Sequence, residues 1–94
     1  MEVSKADRIV SLAGRDKGQL FFVIDTDDQF VYLADGKGRR LESPKRKKRR
    51  HVRKLPLYAS RVAEKIRNGE KVLNSELRKE LASLGQKQSQ NQGG

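Results

Sequence analysis

The chain has no cysteine, no tryptophan, one histidine, one methionine and two prolines among its 94 residues. Without cysteine there is no disulfide, no thiolate metal site and no thiol nucleophile. With one histidine as well, no protein zinc site is expected, since zinc wants three or four N, S or O ligands held together. No apolar run approaches the roughly 18 residues of a membrane-spanning helix. The opening residues, MEVSKADRI, carry no apolar stretch like that of a secretory signal. The expectation is a cytoplasmic protein without a membrane partner. Aromatics are scarce at 5%, too few for an extensive base-stacking platform, so Tyr32 and the three Phe are assigned to the core. A chain this short supports one thin core and little else.

What the chain does have is positive charge, and it is unevenly placed. Lys and Arg number 22 against 12 Asp and Glu, a net charge of +10. Eleven of the basic residues fall between positions 37 and 54, beside one acid, Glu42. That segment therefore carries the whole excess and the remainder balances. Cations packed so closely repel one another unless a polyanion neutralises them, and nucleic acid is the commonest such partner. An acidic lipid surface is the weaker choice, because the run has no apolar residue before Val52 to enter a membrane.

Three short runs rich in β-branched and aromatic residues, 8–13, 20–24 and 29–34, are separated by Gly and Asp clusters and read as strands. Their alternation is blurred, as happens where a strand curls and both faces touch something. Pro44 breaks any regular element at the start of the basic segment, which reads as a loop. Val52 and Leu55 supply a last strand. Ala59, Val62, Ala63 and Ile66 then follow a helical period, with Pro56 at an early position and Asn68-Gly69 as the stop, giving a helix over 57–68. A second helix over 74–84 has Asn74 as N-cap, Glu76 in its first turn, Leu77, Leu81 and Leu84 on one face, and Gly85 at its end. The expected fold class is mostly β with C-terminal α. Its divisions are residues 1–55 as the β domain with the basic loop 37–54, 56–85 as a helical extension, and 86–94 as a disordered polar tail.

Catalysis finds no support. His51, the only histidine, sits among cations with no orienting acid or nucleophile nearby in sequence. Asp25, Asp27 and Asp28 lack the Gly and Glu spacing of a calcium loop and suit a hairpin turn. Gly14 and Gly18 are not followed by Gly-Lys-Ser/Thr, so no nucleotide cradle is indicated. No enzyme activity, metal or cofactor is expected.

Residues 8–24, RIVSLAGRDKGQLFFVI, resemble a KOW motif: a strand, a Gly-containing turn, and a second strand begun by Gly-Gln. The continuation DDQFVYLADGKGRRLESPKRKKRRHV is similar to the ribosomal-protein KOW branch often called fourteen-e, with Asp-Gly, a Pro-Lys pair and a basic run ending in His. Transcription-factor KOW motifs usually carry a small residue where this chain has Phe21, which favours the ribosomal branch. The resemblance covers residues 8–52. It implies a small SH3-like barrel of about five strands, RNA as ligand, and association with ribosomal RNA or the translation machinery, the helices being an extension outside the motif.

The residues add a mechanism to that implication. Gly14 and Gly18 form the motif turn and set Arg15 and Lys17 at its rim. Lys37, Arg39, Arg40, Lys45, Arg46, Lys47, Lys48, Arg49, Arg50, His51, Arg53 and Lys54 complete a cationic surface for the RNA backbone, working as a monomer. Two other classes stay open. One is a DNA-binding helix-turn-helix regulator, although Glu76, Arg78, Lys79 and Glu80 balance on its second helix. The other is an adaptor that docks an acidic protein.

Overall fold

A computed structural model describes the backbone of residues 2–56 and 60–93, and side chains up to residue 84. Five strands come first: β1 (Arg8–Ser11), β2 (Leu20–Thr26), β3 (Phe30–Ala34), β4 (Lys45–Lys48) and β5 (Val52–Lys54). Two helices follow, α1 (Arg61–Arg67) and α2 (Asn74–Gly93). The strands form one antiparallel sheet in the order β4-β3-β2-β1-β5. The chain is thus mostly β with C-terminal α.

β4 and β5 lie at opposite edges of the sheet, yet one 3-10 turn, Arg49–His51, joins them. The four residue steps from Lys48 to Val52 span at most about 14 Å. Four flat inter-strand spacings would need about 19 Å. The sheet must therefore bend sharply, and its concave side closes over a core of Val3, Ile9, Phe21, Val23, Val31, Leu33 and Val52. Among the described residues no ladder joins β4 to β5.

The convex side has a core of its own. Phe22 and Ala34 pack there with Ala6 against Val62, Ala63 and Ile66 of α1 and Leu77 and Leu81 of α2. Phe21 and Phe22, adjacent in sequence, therefore enter different cores, because successive side chains of a strand point to opposite faces. This is why alternation in LFFVI is blurred. Ile24, two residues from Phe22, joins the convex core by the same alternation, and a bulge between Val23 and Asp25 then sets Asp25 opposite Tyr32. Arg8, opposite Phe22 and 3% exposed, sends its guanidinium to Glu80 of α2 at 3.0 Å, and Glu80 also accepts from the Ser60 hydroxyl. The helices are tied to the sheet by this buried ion pair as well as by apolar contact.

Several expectations need correction. The basic segment is not a loop throughout: Lys45–Lys48 is a strand paired with β3, and Pro44 sits just before its first residue, where proline is tolerated. α1 starts at Arg61, with the Ser60 side chain capping Ala63 N–H, and Pro56 lies outside it. Ala59, placed by sequence on that helix, falls outside the described residues. α2 takes Leu73 as its cap: the Leu73 carbonyl accepts from Leu77 N–H, and the Glu76 carboxylate accepts from Leu73 N–H. Asn74 instead binds Leu41 N–H and Glu42 through its side chain. Finally, α2 runs through Gly85 to Gly93 where an end and an irregular tail were expected. One glycine costs a helix only about 1 kcal/mol, and the Gln and Lys that follow are fair helix formers.

Candidate nucleic-acid interface

The turn between β1 and β2 is built on two glycines with positive φ, +86° at Gly14 and +88° at Gly18, a region L side chains rarely adopt. Gly18 N–H donates to Ser11 O at 2.8 Å, and Gln19 N–H to Asp16 O at 2.9 Å. This geometry leaves Arg15 and Lys17 exposed and turns Asp16 inward. There Asp16 accepts from the Ser11 hydroxyl at 2.7 Å and from the Lys47 ammonium at 2.9 Å, while the Lys45 ammonium lies 2.8 Å from its other oxygen. Lys47 also donates to Ala13 O at 2.7 Å. Burial alone would raise the Asp16 pKa. Hydrogen bonds from Lys45, Ser11 and Lys47, with the charge of Lys47, hold it well below the usual carboxylate range.

One carboxylate thus fastens the Gly14–Gly18 turn to β4, and Arg15 and Lys17 come to lie beside the basic segment. The 35–39 loop borders the same region: Lys37 and Gly38 share a groove of about 610 Å³ with Gln19, Leu20 and Arg78. Asp35 shapes that loop by accepting from Lys37 N–H and Arg39 N–H. Gly36 is buried where a Cβ would overlap the Asn74 carbonyl, so the loop can only dock on α2 as glycine. Lys37, Arg39 and Arg40 project outward.

Along β4 the side chains alternate. Lys45 and Lys47 face the concave side and are held by Asp16, whereas Arg46 and Lys48 are exposed on the convex side. Beyond β4, Arg50 and Arg53 are exposed, and His51 is half-buried with its carbonyl accepting from Leu12 N–H. Arg49 is occupied: its Nε donates to Asp27 O at 2.9 Å and its guanidinium to Val3 O at 2.8 Å. Lys54 lies 3.6 Å from buried Asp7. The expected cationic surface therefore divides. Lys45, Lys47, Arg49 and Lys54 hold the fold together, and the exposed cations are Arg15, Lys17, Lys37, Arg39, Arg40, Arg46, Lys48, Arg50 and Arg53.

Two aromatics were misplaced by sequence reasoning. Phe21 and Phe22 are core, but Phe30 and Tyr32 are half-exposed on the convex face of β3, opposite Lys48 and Arg46. Among the described residues neither aromatic belongs to the convex core. The Arg46 guanidinium lies over the Phe30 ring, 4.5 Å from its centroid. Asp27 organises the adjoining hairpin turn, accepting from Gln29 N–H, Phe30 N–H and the Tyr32 hydroxyl. These bonds, that of Tyr32 first, lower the Asp27 pKa, and the same contact raises that of Tyr32. The signal for this face was in the sequence: Phe30 and Tyr32 are two apart, and so are Arg46 and Lys48, the spacing of one strand face.

Among the described residues no group of three or more His, Cys, Asp or Glu is placed to hold a metal ion, and no helix is long and apolar enough to cross a membrane. Comparison of the sequence with models of protein families gave no match, and comparison with curated proteins gave none either.

Proposed function

We propose that this chain is an RNA-binding module that grips the sugar–phosphate backbone, acting in translation in association with ribosomal RNA or the ribosome. The observation that carries the reading is the Asp16 lock, which sets exposed Arg15 and Lys17 beside the cations of the 37–54 segment. The other support is the sequence resemblance to the KOW motif, with which a bent five-stranded sheet fastened by a Gly14–Gly18 turn is compatible. In this reading the sheet is an SH3-like barrel, the chain is a cytoplasmic monomer, and no catalytic step is involved. A helix-turn-helix role is less favoured, because Glu76, Arg78, Lys79 and Glu80 balance on the second helix while the exposed excess of cations lies in the 37–54 segment.

The test is the salt dependence of affinity for a folded RNA. If about six exposed cations touch phosphate, log K against log salt should slope near −4 to −5, from roughly −0.7 to −0.9 per contact. Removing Lys79, on the charge-balanced helix, should leave the slope unchanged. A slope near zero refutes the backbone grip.

A further inference from the structure

The convex face of β3 and β4 carries more than charge. Phe30 and Tyr32 stand on one strand, Arg46 and Lys48 directly across from them, and the Arg46 guanidinium already rests on the Phe30 ring. A guanidinium plane with an aromatic beneath it and solvent above is a surface on which a second flat group stacks. We infer that this face binds an unpaired base of single-stranded RNA, stacked on the Arg46–Phe30 pair, with the adjoining phosphates held by Lys48 and Arg50. The inference rests on the RNA-binding reading above and names the form of RNA that this part of the surface takes.

Polarity follows from the surroundings. Phe30 and Arg46 border a depression of about 450 Å³ whose other walls include Asp27 and Asp28, which repel phosphate but accept hydrogen bonds from base amino and imino groups. A second hollow, of about 370 Å³, is lined by Gln29, Lys48, Arg49 and Arg50, a cationic site suited to phosphate. Gln29 borders both. Asp27 accepts from Tyr32 Oη and Phe30 N–H, so the stacking surface is preorganised. A duplex cannot use it, because its bases are already stacked.

The experiment compares a short oligouridylate, whose bases are largely unstacked, with a blunt RNA duplex carrying the same number of phosphates. Backbone attraction alone favours the duplex, whose charge density is higher. Arg46→Lys keeps the charge and removes the plane. The expected result is a loss of roughly 5- to 100-fold in affinity for the oligouridylate, the scale of one base stack, with the salt slope and the duplex affinity unchanged. Phe30→Leu should reproduce the loss, its melting curve reporting whether the fold is kept. Upfield shifts of uracil ring protons on the wild-type protein should mark the stack directly and disappear with Arg46→Lys. Equal effects on both RNAs, or an Arg46→Lys protein that binds oligouridylate like the wild type, overturn the stacking site and leave the backbone grip standing. Failure of the wild type to bind either RNA in a salt-dependent way overturns both.

Discussion

Arg49 and Arg50 are neighbours of the same type in the same basic run, and the structure gives them different work. Arg49 donates to the carbonyls of Val3 and Asp27, drawing the N-terminal segment and the β2–β3 turn onto the corner after β4. Arg50 is exposed, with no such contact among the described residues. Arg49→Ala should therefore lower stability by about 1–3 kcal/mol, since charged hydrogen bonds are lost and two carbonyls are left to water. Arg50→Ala should leave the melting temperature nearly unchanged and reduce the salt slope of RNA binding by roughly one unit. Thermal denaturation beside a salt titration of both variants separates the roles. A common effect of the two on the slope alone would return Arg49 to the binding surface. Nothing in the string KRKKRRH distinguishes these arginines, because the difference lies in which carbonyls the bent chain brings within reach.

At the scale of elements, β4 is the part that sequence patterning hides. A half-buried strand announces itself by apolar residues at every second position, and here those positions hold Lys45 and Lys47. Lysine serves because its methylene stem is apolar while its ammonium reaches Asp16 at the turn. β1, β2 and β3 were legible from β-branched and aromatic runs between Gly and Asp clusters, and the α1 and α2 apolar faces from their period. The motif turn was legible from its glycines, whereas the Asp16 lock depends on pairing across 31 residues, which no local pattern carries. Asp16→Asn would leave the buried Lys47 ammonium without a counter-charge and should cost about 3–5 kcal/mol. Combining it with Lys47→Met should restore much of that loss, as chemical denaturation of the single and double variants would show. The lock also has a pH dependence of definite sign. Asp16 is held below its unfolded pKa of 3.8, so its contribution is complete above that value and is lost as pH falls through the folded one. Acid titration of wild type against Asp16→Asn should show the two stabilities converging below about pH 4. Unaltered separation in acid would mean that the stabilisation does not come from the carboxylate charge.

For the whole molecule, the division into a β domain of residues 1–55 and a helical extension does not describe how the cores are shared. Phe22 and Ala34 of the sheet share one core with Val62, Ala63, Ile66, Leu77 and Leu81 of the helices, and Arg8 has its Glu80 partner on α2. A chain ending at residue 55 should expose this apolar patch and a cation buried until then, and lose its cooperative melting transition. A truncated chain with a transition like that of the full protein would show the helices to be an accessory. The same dependence bears on the proposed RNA surface, because the 35–39 loop is seated on α2 through Gly36.

The adjacent phenylalanines of β2 carry one consequence for how the chain reaches this fold. A strand with one wet face reports a slip of one residue at once, since every apolar side chain is thrown into water. β2 has no such alarm: Leu20, Phe22 and Ile24 would satisfy the concave core about as readily as Phe21 and Val23 do, and the reverse holds on the convex side. Hydrophobic patterning leaves its register degenerate. Alignment must come from fixed points at its ends: the glycine turn that hands Gly18 N–H to Ser11, the bulge at Ile24, and the Asp27 turn. The turns of this protein thus set the alignment of its strands as well as connecting them.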